Sequence, residues 1–555
     1  VPTRVLIVGL DGFDPVLYRS MRDAGQMPNL AGIESDGLFQ PIRSTIPPFT
    51  YPAWSTVLTG CNPGKHGIID FTKRLSHSYD LEPIDSTFRQ VPTLSGYLSS
   101  QGHRVGAMGF PTTYPPEPLN GFMLSGFDSP VAVDADISFC YPRSLFKELA
   151  SLGSPYTLTG IQEVRIGRHW HRRAREWLLS MIPRRTSIAE YLLNRSEYEV
   201  VGIVFSESDT ASHHFWAFHD PSSPRYTRDG AEMAMTIRDV YRALDRAVGR
   251  LAGFADVVLI VSDHGMGGAG VRKISLNRLL AQHAHFSYKT GSNRFSAMFG
   301  TLAPSAFRLA PVRLQEQLFR VFKGRFAARI EANRRLSHAR LEHCLAFSDE
   351  LNYFPSIWLH DERFPLGTGM SETERCERSE SIRRDLIGEC LDSTDSPLFE
   401  KVHLRDEIYH GPCISGFPDL ILEVALDQGF SFSISRETTP GPVIEPIPRS
   451  AWIGEKGGSM NGSHRPEGVL FIRGLKTATG DRSTPPGLED IAPTVLHELK
   501  IETPAWMDGY PLQIGSKPVR QSPDDPDPKH QCLSDSISDQ ERSDLIRKLN
   551  RLGYL

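Results

Sequence analysis

Three short, unbroken apolar runs constrain this chain more than any other feature. They are Val5-Leu6-Ile7-Val8-Gly9-Leu10, Val200-Val201-Gly202-Ile203-Val204-Phe205 and Val257-Val258-Leu259-Ile260-Val261. None alternates with polar residues, which is how a strand reads when both of its faces are buried in a helix-covered parallel sheet. Each run is followed by a carboxylate: Asp11, then Asp209 after Ser206-Glu207-Ser208, then Asp263 after Ser262. Open α/β sheets build their sites at the carboxyl ends of such strands. The pattern predicts an α/β fold with a mostly parallel central sheet, flanked by helices, and a site where these strands end.

Histidines follow two of the carboxylates. His213 and His214 come shortly after Asp209, and His264 directly follows Asp263. Carboxylate oxygens with imidazole nitrogens suit zinc, manganese or iron. A single Asp-His pair is more often a hydrogen-bonded structural pair, whereas three strand ends together point to a metal centre. A flexible Gly-Gly-Ser-Met-Asn-Gly-Ser loop from Gly457 ends at His464, just before a strand at 468–474, and can carry that histidine back to the site.

The stretch Pro47-Pro48-Phe49-Thr50-Tyr51-Pro52-Ala53-Trp54, running on to Leu58-Thr59-Gly60, reads as a helix start. Pro52 suits a first turn, where a missing N–H costs nothing, and Trp54, Val57 and Leu58 continue at helical spacing. Thr50 then sits at the positive end of the helix dipole, a place that suits a nucleophile meeting a phosphate. Alone, a threonine there is usually an N-cap.

With 555 residues, 39% hydrophobic and 23% charged, the chain has the composition of an ordinary soluble globular protein. A net charge of −5 gives no reason to expect a nucleic-acid partner. Seven scattered cysteines without a Cys-x-x-Cys pair indicate neither a disulfide framework nor a thiolate zinc site. No apolar run is long enough to span a bilayer, so a cytoplasmic location is the expectation, though a leader removed before Val1 would leave no trace. The chain divides into a catalytic core at 1–165, a helical cap element at 166–197, and metal-ligand strands at 198–274. A helical, basic insertion at 275–345, more core at 346–515, and a linker with a last helix at 516–555 complete it. The insertion carries Arg308, Arg313, Arg320, Lys323, Arg325, Arg329, Arg334, Arg335 and Arg340 beside an apolar stripe from Leu314 to Ile330. An amphipathic helix docked on the core is the plainest account, a lid or a membrane-surface helix the alternatives.

Taken together, Asp11-Gly, Thr50-x-Pro with Thr59-Gly60, Asp209-x-x-x-His213, Asp263-His264-Gly265 and Gly462-Ser-His464 resemble the alkaline phosphatase superfamily. Within it the set is most similar to the type I phosphodiesterase/nucleotide pyrophosphatase family. The resemblance implies two divalent metal ions, zinc first, with Asp11, Thr50, Asp263 and His264 at one and Asp209, His213 and His464 at the other. It also implies that Thr50 is the nucleophile and that phosphoric esters are cleaved through a phospho-threonine. The chain departs from the sulfatases, which carry a Cys or Ser in the Thr50 slot and an arginine where Trp54 stands. Phosphoglycerate mutases, which normally use serine, are disfavoured as well.

Substrate identity is less constrained. Nucleotide pyrophosphatases often have Asn three positions after the nucleophile, and this chain has Ala53. The absence of lysine or arginine beside Thr50, with Tyr51 and Trp54 offering aromatic surface, suits a small-molecule diester. Lys73 is a further candidate contact. A phosphomonoesterase or phosphonate hydrolase is the alternative on the same site, and a non-catalytic binding protein on a phosphatase scaffold the distant one.

Overall fold

A computed structural model of the chain describes residues 3–126, 137–151, 169–228, 230–289, 336–349, 355–391, 396–435, 439–452, 460–475 and 485–512. An eight-stranded sheet forms its centre. In chain order the strands are β1 (Thr3–Leu10), β2 (Leu38–Arg43), β3 (Val105–Met108), β4 (Gly121–Leu124), β5 (Cys140–Tyr141), β6 (Val200–Phe205), β7 (Ala255–Val261) and β8 (Glu467–Arg473). In space they run β2-β8-β7-β1-β6-β3-β4-β5. The three apolar runs are neighbours, with Val5 of β1 opposite Val200 of β6 on one side and Val257 of β7 on the other. From β7 to β4 every pairing is parallel, while β8 runs antiparallel to β7 and β2, and β5 antiparallel to β4. The sheet is thus mostly parallel, as its unbroken apolar strands require.

Period-two geometry sends alternate β1 side chains to opposite faces. Leu6, Val8 and Leu10 join a core shared with α2 (Trp170–Arg195), α3 (Glu207–His219) and α4 (Thr236–Ala252). Val5 and Ile7 join the opposite core, shared with α1 (Thr50–Thr59) and α5 (Ile491–Glu498). α4 illustrates why these segments are helices: Ile237, Val240, Tyr241, Leu244, Val248 and Leu251 recur every three or four residues and are all buried. Each such side chain contributes about 1.5–3 kcal/mol by leaving water.

A third core lies between Ile274 and Leu422. It supports a four-stranded antiparallel sheet of Ala346–Phe347, Ser356–Leu359, Leu420–Val424 and Phe399–Leu404, with helix Glu372–Ile387 started by a Ser371/Glu374 capping box. A buried ion pair, Arg74 with Asp349, and a 2.6 Å hydrogen bond between Tyr79 Oη and His360 Nε2 tie this unit to the N-terminal part of the chain.

One expectation meets a different outcome here. Of the segment read as helical from 275, helix Leu276–Gln282 forms, but residues 283–286 turn and Tyr288 then bridges antiparallel to Ala339, with the Lys289 N–H donating to His338 O at 2.9 Å. The cluster from Arg308 to Arg335 and the stripe from Leu314 to Ile330 lie outside the described residues, as do the linker and last helix at 516–555. Among the described residues no helix is long and apolar enough to cross a membrane.

Candidate active site

Thr50 is the first residue of α1, with Phe49 extended before it as the N-cap. The Ala53 N–H makes the helix's first ladder bond, to Phe49 O at 3.0 Å, so Pro52 sits where no N–H is needed. Gly60, at φ +67, closes the helix in the left-handed conformation that glycine adopts freely. Thr50 is 3% exposed, and its Oγ1 lies 3.4 Å from His264 Nε2.

The strand ends converge on that hydroxyl. Asp11 follows β1, and Asp263 and His264 follow β7. The turn after Asp11 requires glycine: Gly12 has φ +62, a Cβ there would stand 2.9 Å from Asp209 Cα, and its N–H donates to Asp263 Oδ1 at 3.1 Å. Asp209 and His213 lie not on a strand end or loop but within the first turns of α3, four residues apart and so on one helix face. An aspartate in that first turn is favoured by the helix dipole. His214 points elsewhere and packs against Trp170 at 4.6 Å between ring centroids.

His464 also differs from expectation, since it lies on a strand rather than in a flexible loop. Strand Gly462–Arg465 pairs antiparallel with strand Gly265–Ile274, placing His464 opposite Met266. The next residue, Arg465, is turned away to Ser431 Oγ at 2.6 Å and to Gly268 O and Gly429 O, each at 3.2 Å.

Two groups of ligand atoms result. Asp11, Asp263 and His264 form one: His264 Nε2 is 3.6 Å from Asp11 Oδ1 and 3.3 Å from Asp263 Oδ2. In the other, Asp209 Oδ1 is 3.0 Å from His213 Nε2 and 3.4 Å from His464 Nε2. His264 also falls within reach of Asp209 and His464, because its ring stacks on His464 with centroids 3.7 Å apart. It stands between the two groups.

Hydrogen bonding sets the imidazole tautomers. Nδ1 of His213 meets Gly462 O at 2.9 Å, Nδ1 of His464 meets Pro48 O at 2.9 Å, and Nδ1 of His264 meets Gly265 O at 3.1 Å. A carbonyl only accepts, so each Nδ1 carries a proton and each Nε2 faces into the site. The Nε2 atoms of His213 and His464 are 3.0 Å apart, a separation that either a shared proton or a cation bound by both would account for. Burial points the same way. It raises the Asp263 carboxyl well above its usual range, with the Asp209 charge adding to the rise, and it holds His264 and His464 below the usual imidazole range. Neutral imidazoles and buried carboxylates with carbonyl-oriented rings are the donor set that a divalent transition metal takes.

Several neighbours have other roles. Trp54, fully buried, donates its Nε1–H to Asp11 Oδ2 at 3.3 Å, and Tyr51, also fully buried, packs on Phe71 with centroids 4.1 Å apart. The aromatic surface suggested by these two residues is therefore packed into the protein. Lys73 holds its ammonium 5.3 Å from the Phe88 ring centroid. Ser208 and Ser262 were not legible as site residues. Ser208 Oγ donates to Asp11 O at 2.6 Å, and Ser262 Oγ donates to His264 O at 2.6 Å while accepting from the Phe13 N–H at 2.8 Å. Their positions beside Asp209 and Asp263 were the available signal.

Comparison with solved structures finds distant likenesses. Phosphonoacetate hydrolase from Sinorhizobium meliloti 1021, in complex with phosphonoacetate, is 15% identical over 90% of this chain and 96% of that one, with a TM-score of 0.48. Murine ectonucleotide pyrophosphatase/phosphodiesterase 5 is 13% identical over 90% and 95%, at 0.42. The human form is 13% identical over 92% and 97%, at 0.41. No curated protein sequence matches. The sequence profile of one family spans residues 5–365, more than half of the chain, including Thr50 and the ends of β1, β6 and β7 but not His464. The chain belongs to the type I phosphodiesterase/nucleotide pyrophosphatase family.

Proposed function

We propose that this protein is a two-metal phosphodiesterase in which Thr50 is the nucleophile. Asp11, Thr50, Asp263 and His264 would hold one divalent cation, zinc in our reading, and Asp209, His213 and His464 the other. Such cations would lower the pKa of the Thr50 hydroxyl and neutralise charge on the phosphoryl oxygens. Thr50 Oγ1, its proton lost, would form the new bond to phosphorus as the bond to the leaving ester oxygen breaks and that oxygen departs as an alcohol; water then releases the remaining phosphomonoester and restores the threonine hydroxyl. The α1 dipole favours the phosphoryl charge at the same place. The carrying observation is the Thr50 hydroxyl 3.4 Å from His264 Nε2, at the meeting point of both ligand groups.

A preference for diesters over monoesters is supported by the commitment of three of the four basic residues that follow α1 in sequence, Lys73 being the exception. Lys65 pairs with Asp508 at 2.6 Å, Arg74 with Asp349, and Arg89 with Glu117 at 2.9 Å. A monoester's additional negative charge would ask for such a group at the site. The test is a paired assay with zinc or manganese added, in which kcat/KM for bis-p-nitrophenyl phosphate exceeds that for p-nitrophenyl phosphate. A clear preference for the monoester overturns the diesterase reading and leaves the two-metal mechanism standing. Failure of both esters, in protein shown to hold two metals per chain, would count against Thr50 chemistry altogether.

A further inference from the structure

A second concentration of charge lies away from the metal-ligand groups, in a cleft between α2 and α4 on the side of the sheet that these helices cover. Its volume is about 410 Å³, within the range of small-molecule sites. Arg175 from α2 and Arg242, Arg246 and Arg250 from α4 line it, above an apolar floor that includes Leu179 and Ile182. None of the candidate metal ligands, nor Thr50, lines it.

Arginines on exposed helix faces ordinarily need no ligand, but three features distinguish these. They converge on one concavity from two helices. Their acids do not balance them: Asp239 serves both Arg175 at 2.6 Å and Arg242 at 2.5 Å, and Glu190 holds Arg250 with a bond to Nε at 2.7 Å. Four guanidiniums face two carboxylates, and among the described residues Arg246 has no acid partner. The floor, finally, is apolar, so the concavity combines a surface for a hydrocarbon or aromatic body with planar donor forks that match phosphate oxygens.

We propose that this cleft is a second, non-catalytic anion site, which binds a phosphate group carried on an apolar body. A soluble aryl or alkyl phosphate and the headgroup of an anionic phospholipid share that chemistry. Arg246 and Arg242 would grip the phosphate, while Leu179 and Ile182 would receive the apolar part.

The test uses the full, metal-loaded chain with two probes: phenylphosphonate by titration calorimetry, and phosphatidylcholine vesicles with or without phosphatidic acid by co-sedimentation. Arg246→Glu and Arg242→Gln are the cleft variants, checked for folding by circular dichroism, and His464→Ala removes the metal-site contribution. For a soluble ligand, saturable phenylphosphonate binding persists in His464→Ala and weakens about tenfold or more in Arg246→Glu, the scale of one lost charge-assisted contact. For a lipid headgroup, sedimentation requires phosphatidic acid and falls by a similar factor in Arg246→Glu. Arg242→Gln moves the same readout in the same direction, and Arg246→Glu leaves kcat/KM for bis-p-nitrophenyl phosphate within about twofold, so the test stands apart from that of the catalytic site. The proposal is overturned if neither probe binds, or if both bind the cleft variants as well as the parent chain.

Discussion

At the scale of single residues, Thr50 separates chemistry from architecture. Thr50→Ala removes the attacking oxygen but leaves six of the seven proposed metal ligands in place. Turnover is expected to fall by about a thousandfold or more, with metal content held near two per chain by atomic emission, while Thr50→Ser keeps part of the activity. Near-parent turnover in Thr50→Ala would falsify the covalent route. The adjacent histidines provide a second contrast. His213 turns Nε2 toward Asp209 and His464, whereas His214 packs on Trp170. His213→Ala is expected to lose one metal and most activity, and His214→Ala to keep both metals; the reverse result would mean that the ligand is misassigned. That Asp209 and His213 lie side by side was legible in the Asp-x-x-x-His spacing, because residues four apart share a helix face. The fates of Tyr51 and Trp54 were not legible. An aromatic beside a nucleophile reads alike whether it faces a ligand or the core, and only packing against Phe71 and the bond to Asp11 distinguish the two.

Secondary-structure elements hold these residues at their angles, and two contacts expose that role. Arg185 on α2 and Glu207 at the start of α3 form a buried pair, Nε to Oε1 at 3.3 Å, two residues before Asp209. Burial raises the Glu207 carboxyl above its usual range even beside the guanidinium. Arg185→Met leaves that carboxylate without its counter-charge and is expected to destabilise the fold by about 3–5 kcal/mol, with Arg185→Met/Glu207→Leu recovering most of the loss. A chemical-denaturation series on the two variants checks this. The second contact is His66, in the one-turn helix Pro63–His66. Its Nδ1 accepts from the Ile68 N–H at 3.2 Å and its Nε2 meets Thr56 Oγ1 at 3.1 Å. Burial, with Arg89 nearby, lowers its pKa to about 3. The unfolded chain therefore binds this proton first, and the stability due to neutral His66 is complete above pH ~6.5 and is lost as pH falls toward 3. The loss is roughly 4–5 kcal/mol at the acid end, and His66→Asn should flatten it in a pH series of thermal melts. Helix and strand types were largely legible from their apolar periods. The placement of His464 on a strand was not, because Gly-Ser-His carries no β pattern of its own and owes its conformation to strand Gly265–Ile274 across from it.

For the whole molecule, the proposed ligand groups draw on residues from Asp11 to His464, so metal binding there would be linked to global stability. Removing metals by chelation is expected to lower Tm, and restoring zinc at about a hundred times its dissociation constant to return about 2.7 kcal/mol for each site filled; a Tm indifferent to chelation would argue against a resident metal. The mostly parallel sheet was legible from the unbroken apolar runs, whereas the antiparallel entry of β8 between β7 and β2 was not, since its run Val469-Leu470-Phe471-Ile472 is as unbroken as those of the parallel strands. That entry has a consequence for synthesis on the ribosome. β7 is complete at Val261, yet its outer neighbour begins at Glu467, and β2 reaches the rest of the sheet through that same strand. A nascent chain must therefore wait through some two hundred residues of translation with an open apolar edge, the condition that invites misassociation and chaperone capture. Arrested chains that end at residue 460 should be cut readily by protease in β2, and chains carried past residue 512 should resist. His464 arrives immediately ahead of β8, so on the proposed assignment the last ligand and the strand that seals the sheet emerge together, and the chain would gain its reactivity as it loses its exposed edge.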